Sequence, residues 1–253
     1  MKYYARRDPH THMHRSILFV VTMSIPFATA ALGGNATFES GRTRTHLIEL
    51  FTSEGCSSCP PAEAWLSKLK DEPRLWRDVV PLAFHVDYWD RLGWRDPFAS
   101  RQWTTRQYDY SSRWKSSSVY TPGFVLNGRE WRDHRIPEGA REEIGVLKIA
   151  LGDDDSVTAN FAPAANGARP YDVHVARLGF DLNINVKAGE NSGRKLLHDF
   201  VVLSLADAPL NGGGAELHLA SGAAKAPGSR EAIAAWITER GQLEPIQAVG
   251  GWR

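Results

Sequence analysis

The pattern of hydrophobic residues changes character near residue 152. Before that point, two almost entirely apolar runs, residues 46–52 and 79–86, flank a stretch with apolar side chains at spacings of three and four. This order predicts a strand, a helix over residues 59–70 and a second strand. Two strands joined through a helix pair in parallel, and runs that are apolar throughout are typical of strands covered on both faces.

The rest of the first half adds two helices and a strand to this prediction. Asp96 is a suitable N-cap for a helix that extends to about Lys115. A third strand is predicted after Thr121 and Pro122, and a proline just before a strand is a candidate for the cis isomer. Residues 137–151 begin with proline and carry acidic residues early, which predicts a last helix.

Beyond residue 152 the chain consists of short alternating runs separated by turns rich in glycine, asparagine and proline. Strands at such intervals are typical of a small antiparallel sandwich. We therefore predict two domains, an α/β domain over residues 46–151 and a β-rich domain over residues 152–253. Residues 33–45 contain several Gly, Asn and Thr residues and are predicted to form a flexible leader.

Residues 1–32 have the layout of a secretory signal peptide. A basic stub ending at Arg15 is followed by an apolar run and by the small-residue site Ala28-x-Ala30. The run is too short and too interrupted for a spanning helix, which needs about 20 apolar residues. The sequence therefore predicts a secreted or periplasmic protein that has no stable membrane anchor once the signal is cleaved.

Net charge argues against one class of partner. The whole chain has 30 basic and 29 acidic residues, and the predicted signal removes four of the former and one of the latter, which leaves a net charge near −2. There is no basic block either. Nucleic acid is therefore not an expected partner.

The two cysteines of the chain, Cys56 and Cys59, lie together where the first strand gives way to the first helix. Two intervening residues let the sulfurs switch between dithiol and disulfide without rearranging the fold. Backbone N–H groups at a helix start lower the pKa of a nearby thiol and favour the attacking thiolate. We assign Cys56 as the nucleophile, which requires that it be accessible, and Cys59 as the resolving thiol.

The chain resembles two families at different levels. Residues 46–151 are similar to the thioredoxin fold through Cys56-Ser-Ser-Cys59 and through Thr121-Pro122, which look like its active-site pair and its cis-proline step. This resemblance implies a buried acid near the inner thiol, for which Glu49 is the candidate. The motifs ELFTSEGCSSCPPAE, HVDYWDRLGWRDPFAS, YTPGFVLNG and GENSGRKLLHDFVV resemble the exported family known as domain of unknown function 1223. That likeness implies no established reaction.

Three hypotheses for function stay open at this stage. The first is a thiol–disulfide oxidoreductase acting on protein or small-molecule disulfides and thiols, without an organic cofactor because no glycine-rich phosphate motif is present. The second is a carrier of copper(I) that uses Cys56, Cys59 and His85. The third is a non-catalytic binding module in which the cysteines form a permanent disulfide. In the second half, Asn191, Arg194, His198 and Asp199 fall in a family motif, and structural roles in turns are expected for them.

Overall fold

A computed structural model describes residues 1, 36–136, 138–165, 169–220 and 230–253. The predicted signal peptide, apart from Met1, and residues 33–35 of the predicted leader lie outside the described residues. The described ranges contain two α-helices, α1 (Pro60–Ser67) and α2 (Arg101–Arg113). The strands are β1 (Ala36–Glu39), β2 (His46–Thr52), β3 (Val79–His85), β4 (Gly123–Leu126), β5 (Arg129–Glu130), β6 (Gly145–Leu151), β7 (Ser156–Pro163), β8 (Tyr171–Phe180), β9 (Leu182–Asn185), β10 (Lys195–His198), β11 (Val201–Leu210), β12 (Gly214–His218), β13 (Arg230–Glu239) and β14 (Pro245–Trp252).

The largest sheet has eight strands in the order β14-β13-β8-β11-β3-β2-β4-β5. Strand β3 pairs in parallel with both β2 and β11, whereas the other neighbours are antiparallel. All seven residues of β2 and all seven of β3 are buried. Their apolar composition fits this position, because side chains on both faces of the central strands are covered.

Helix α1 connects β2 to β3, as the sequence predicts. Cys59 is its N-cap, and Pro60 and Pro61 occupy the first helical positions, where backbone N–H groups have no intrahelical partner. A 3₁₀ turn (Lys68–Asp71) ends the segment. The helix therefore begins immediately after the second cysteine.

A second sheet, in the order β1-β6-β7-β12, is antiparallel throughout. Its inner face shares one apolar core with β8, β13 and β14, in which Leu147, Ile149, Phe161, Val175 and Ile237 are buried. This packing differs from the predicted antiparallel sandwich of residues 152–253, because the large sheet is mixed and β1 and β6 come from outside that range. With two helices among many strands, the described chain is mostly β-sheet, and its sheets are of mixed and antiparallel type.

The predicted domain boundary at residue 152 does not separate two compact units. Gly34–Arg253 clusters as one unit. Strands β6 and β7 form a hairpin across residue 152, and β11 from the second half pairs with β3 from the first. The Gly- and Asp-rich turn at 152–155 marks a hairpin loop, which has the same composition as a linker.

Two local predictions in the first half are wrong. Residues 145–151 form strand β6 and not the end of a helix, with Leu147, Ile149 and Leu151 buried at every second position. The predicted leader contains β1, which pairs with β6, and Phe38 of β1 packs against the opposite sheet at Gly251. In both segments pairing with a distant strand outweighs the local preference.

The helices of the described chain are short. Helix α2 begins at Arg101, with Ser100 as the N-cap whose side chain accepts a hydrogen bond from Gln102 N. Asp96, the predicted cap, is instead buried at another site. Neither α1 nor α2 has the length and apolar character that crossing a membrane would require.

Gly145 provides a test of the strand assignment. Its φ is +125°, and a Cβ there would overlap the Ala162 carbonyl oxygen of β7. We predict that Gly145→Ala lowers the free energy of unfolding by about 2 kcal/mol or more, measured by urea denaturation. In a helix the same substitution would add up to about 1 kcal/mol of stability. Lys148→Ala, an exposed change in the same strand, serves as the control and should shift stability by about 0.5 kcal/mol or less.

Candidate functional site

Cys56 and Cys59 form a disulfide at the end of β2, with their Cα atoms 5.5 Å apart. The turn that carries them is closed by hydrogen bonds from Cys56 N to Ser53 O and from Cys59 N to Cys56 O. Cys59 is fully buried, and Cys56 is only 1% exposed. The two cysteines are bonded to each other, and the expected accessibility of Cys56 is wrong for this disulfide form.

Thr121 and Pro122 lie beside the disulfide, as their resemblance to a cis-proline step implies. The peptide bond between them is cis, and the Thr121 carbonyl oxygen lies 3.7 Å from Cys56 Sγ. Ser58 Oγ lies 3.3 Å from the same sulfur. Trp89 Nε1 donates a hydrogen bond of 2.8 Å to Thr121 Oγ1, which ties this loop to the 3₁₀ segment Asp87–Leu92 after β3.

A loop from the second half of the chain covers the other side of the cysteine turn. Asn191, which is fully buried, donates from Nδ2 to the carbonyl oxygens of Glu54 and Cys56, both at 2.9 Å. Glu190 accepts hydrogen bonds from Ser57 N at 3.0 Å and from Ser57 Oγ at 2.7 Å. Asn191 therefore holds the cysteine turn in place, in addition to shaping its own loop.

A buried group of acids and one imidazole lies next to this turn. His198, at the end of β10, bonds through Nε2 to Glu54 Oε1 at 3.0 Å and through Nδ1 to Glu63 on α1. Thr52 donates to Glu63, and Trp94 Nε1 donates to Glu54 Oε2 at 2.6 Å. Apart from Trp94, the residues of this network are buried, namely Thr52, Glu54, Glu63 and His198.

Each charged group of this network stabilises the charged form of its partner. Burial alone would lower the pKa of His198, but the carboxylate of Glu63 and the hydrogen bonds to Glu54 and Glu63 raise that pKa to about 10. Burial opposes ionisation of Glu63, yet His198 holds the pKa of Glu63 below its usual value. The imidazolium of His198 is therefore the cation between two buried carboxylates.

His85 belongs to the same buried region. It ends β3, pairs in register with Thr52 of β2, and its Nδ1 lies 2.7 Å from Asp96 Oδ2. Burial lowers the pKa of His85, but the charge of Asp96 outweighs this effect and raises it, while His85 holds the pKa of Asp96 down. Asp96 also accepts a hydrogen bond from Glu54 N at 2.9 Å.

Glu49, the predicted acid near the inner thiol, lies on the opposite face of the sheet. Its carboxylate accepts from Arg106 Nε at 2.6 Å and from the Tyr110 hydroxyl at 2.5 Å, both on α2. Side chains along a strand alternate between faces, so Glu49 cannot share the face of Thr52, which contacts α1. Among the described residues, no carboxylate forms a hydrogen bond with Cys59.

The copper(I) ligand set predicted from Cys56, Cys59 and His85 does not form a cluster. In the described part of the chain, the group of three potential ligands within coordinating distance of one another consists of His85, Glu63 and His198. The sulfurs are bonded to each other instead.

A groove of about 650 Å³ opens beside the disulfide. Ser58 and Pro122 form the side nearest Cys56, and Pro61, Trp65, Trp131 and His134 line the remainder. Trp65 packs edge-on against Trp131 at a ring-centroid distance of 5.6 Å. The groove is therefore a mainly apolar and aromatic surface that leads to the cysteine turn.

A family model described as "Protein of unknown function (DUF1223)" matches residues 47–238. The chain belongs to the DUF1223 family. The match includes the cysteine turn, β3, the loop that carries Asn191 and the strand β10 that carries His198, so both halves of the site lie inside the family region. Among curated proteins, no significant match was found.

Two solved structures resemble the whole arrangement. Protein AGR_C_4864 from Agrobacterium tumefaciens is 25% identical, with a TM-score of 0.56 over 84% of this chain and 95% of its own. HBP35 of Porphyromonas gingivalis is 14% identical, with a TM-score of 0.53 over 84% of this chain and 76% of its own. The second likeness concerns the fold alone.

The sequence of this DUF1223 protein did not single out Glu54 or Glu63 as site residues. For Asn191 and His198 it predicted structural roles in turns and not contacts with the cysteine turn and its acids. A signal for Glu63 was present, because it lies four residues after Cys59 and therefore on the same face of α1. Glu54 was visible two residues before Cys56. Nothing in the local sequence indicated that His198, more than 130 residues away, would join them.

Replacement of His198 tests how much the stability of the fold depends on this buried cation. We predict that His198→Ala lowers the free energy of unfolding by about 3–5 kcal/mol, because two buried carboxylates would lose their compensating charge. Urea denaturation provides the measurement. His174 is the matched control, since it also bonds a carboxylate, that of Asp207, but on a half-exposed pair. A loss no larger in His198→Ala than in His174→Ala would contradict this account of the network.

Proposed function

We propose that this DUF1223 protein is an exported thiol–disulfide oxidoreductase. The observation that carries the proposal is the disulfide between Cys56 and Cys59 at the junction of β2 and α1, next to a groove that ends at Ser58 and Pro122. Export supplies an oxidising compartment in which such a pair can exchange. The partners are protein or small-molecule disulfides and thiols.

The arrangement of residues 46–130 supports a thioredoxin-like interpretation. Strands β3, β2, β4 and β5 are adjacent in that order, with β2 and β3 parallel and joined through α1, and β4 and β5 antiparallel. The cysteines precede the first residue of α1, where N–H groups favour a thiolate. Thr121 and Pro122 lie against Cys56, in the place that the thioredoxin resemblance implies.

The exchange takes place in two steps. In the reduced protein the Cys56 thiolate attacks one sulfur of a substrate disulfide, a new disulfide forms between them, and the second substrate sulfur leaves as a thiolate that takes up a proton. The Cys59 thiolate then attacks the Cys56 sulfur, forms the internal disulfide and releases the first substrate sulfur. Two electrons pass from protein to substrate, and the reverse sequence oxidises a substrate dithiol.

In the disulfide form, an attacking thiolate has little access to the buried Cys56 sulfur. The sulfur is in contact with Ser58 and Thr121, and the 187–194 loop is fixed on the neighbouring backbone. Of these contacts, the hydrogen bonds between Glu190 and Ser57 are exposed, so water can compete for them. Release of Glu190 is therefore the least costly way to uncover the turn.

Single cysteine variants test the proposal. We predict that Cys59→Ser, in its reduced form, accumulates a mixed disulfide with a peptide disulfide substrate, because Cys56 attacks and no resolving thiol is present. Cys56→Ser should accumulate about tenfold less. Non-reducing electrophoresis and mass spectrometry measure the adduct. Equal adduct in both variants, or none in either, would overturn the assignment and favour the static disulfide.

The role of the covering loop can be measured separately. We predict that Glu190→Ala raises the rate of disulfide reduction by dithiothreitol about threefold or more, because the loop loses its acceptor for Ser57 and the approaching thiolate meets one negative charge fewer. Stopped-flow tryptophan fluorescence or thiol alkylation follows the reaction. Lys187→Ala, in the same exposed loop, is the control and should leave the rate nearly unchanged. An unchanged rate in Glu190→Ala would show that the loop does not limit access.

A further inference from the structure

The exchange reaction makes no use of the buried cluster formed by Glu63, His85 and His198. These residues come from α1, from the end of β3 and from the end of β10. One nitrogen or carboxylate oxygen of each lies within 4.8 Å of those of the other two. The three residues are at most 7% exposed. Three potential ligands from three separate elements therefore converge inside the protein.

Each potential ligand is oriented by a further polar group. Asp96 accepts from the ring of His85, Glu54 accepts from the ring of His198, and Thr52 donates to Glu63. Metal-bound histidines in proteins characteristically donate their second ring N–H to a carboxylate or carbonyl, and metal-bound carboxylates are themselves hydrogen-bonded. The three potential ligands thus have the additional hydrogen-bond partners that are typical of residues in a metal centre.

His85 supplies an independent indication. Its side chain is fully buried, its Nδ1 is bonded to Asp96, and its Nε2 has no hydrogen-bond partner among the described residues. A buried nitrogen without a partner is costly and uncommon in native proteins. In the neutral ring that keeps its proton on Nδ1, bonded to Asp96, Nε2 carries a lone pair, which is the form of histidine that binds metals.

Charge also favours a cation here. Glu54, Glu63 and Asp96 bring three carboxylates into one buried region, and in the described part of the chain the cationic partners bonded to them are the imidazoles of His85 and His198 and no lysine or arginine. Buried carboxylates require compensation by protons or by an ion. A divalent cation at the point where the ligands meet would replace the imidazole protons as that compensation.

We propose that Glu63, His85 and His198 bind one divalent first-row transition metal ion. Two imidazoles and one carboxylate suit zinc and its borderline neighbours, whereas copper(I) favours sulfur ligands and calcium or magnesium favours oxygen ligands alone. The site requires neither Cys56 nor Cys59. The ion would fix α1, β3 and β10 to one another behind the redox turn, independently of the proposed exchange activity.

The test uses the purified protein with its disulfide intact. The protein is unfolded in guanidinium with a chelator and refolded with zinc or cobalt(II). Metal content is measured by mass spectrometry after gel filtration. We expect one ion per chain. A double Cys56→Ser, Cys59→Ser variant and the control His174→Gln should retain it, and Glu63→Gln should bind at least tenfold less.

X-ray absorption of the zinc-loaded wild-type protein provides a readout that needs no variant to fold. We expect nitrogen and oxygen neighbours with imidazole scattering and no sulfur. Absence of bound metal in the refolded wild-type protein, full binding by Glu63→Gln, loss of binding in the double cysteine variant or a sulfur neighbour would each overturn the site. None of these results depends on whether the cysteines exchange.

Discussion

The contact of His198 with Glu54 and Glu63 is the interaction on which the arrangement of the site depends. Glu54 belongs to the cysteine turn, Glu63 to the helix that follows it, and His198 to a strand from the second half of the chain. A buried carboxylate pair without this imidazole would be strongly destabilising. The contact therefore ties the two halves, which differ in sequence texture, to each other at one site.

The sequence alone could predict the parts of this arrangement that depend on nearby residues, but not the contacts between distant ones. Local patterns were sufficient for β2, α1 and β3 and for the position of Cys56 and Cys59, because strand runs, proline positions and cysteine spacing act over a few residues. The position of Thr121 and Pro122 beside the cysteines came from the resemblance to the thioredoxin fold. Local patterns failed where pairing with distant residues determines the structure. Residues 145–151 form a strand because they pair with β7. Glu49 was misplaced because strand alternation turns its side chain toward Arg106. His198 had no local signal at all.

The disulfide and the buried acid–imidazole cluster lie in the same small region of the protein. The groove ends at Ser58 and Pro122 beside the disulfide, and the acid–imidazole cluster includes Glu54 of the cysteine turn and Glu63, one helical turn beyond Cys59. Asn191 and Glu190 hold the turn from outside, so the second half of the chain both supports and covers the cysteines. A redox pair that is covered in its oxidised form would exchange with partners selected by the groove and would resist indiscriminate reduction.

The most direct measurement of the central claim, that Cys56 and Cys59 exchange electrons with a partner, is the reduction potential of the pair. Equilibration with glutathione redox buffers, followed by alkylation and mass spectrometry, gives the value. The account predicts a potential in the range of exchange proteins, about −120 to −270 mV. A potential below about −300 mV, typical of permanent structural disulfides, would contradict it.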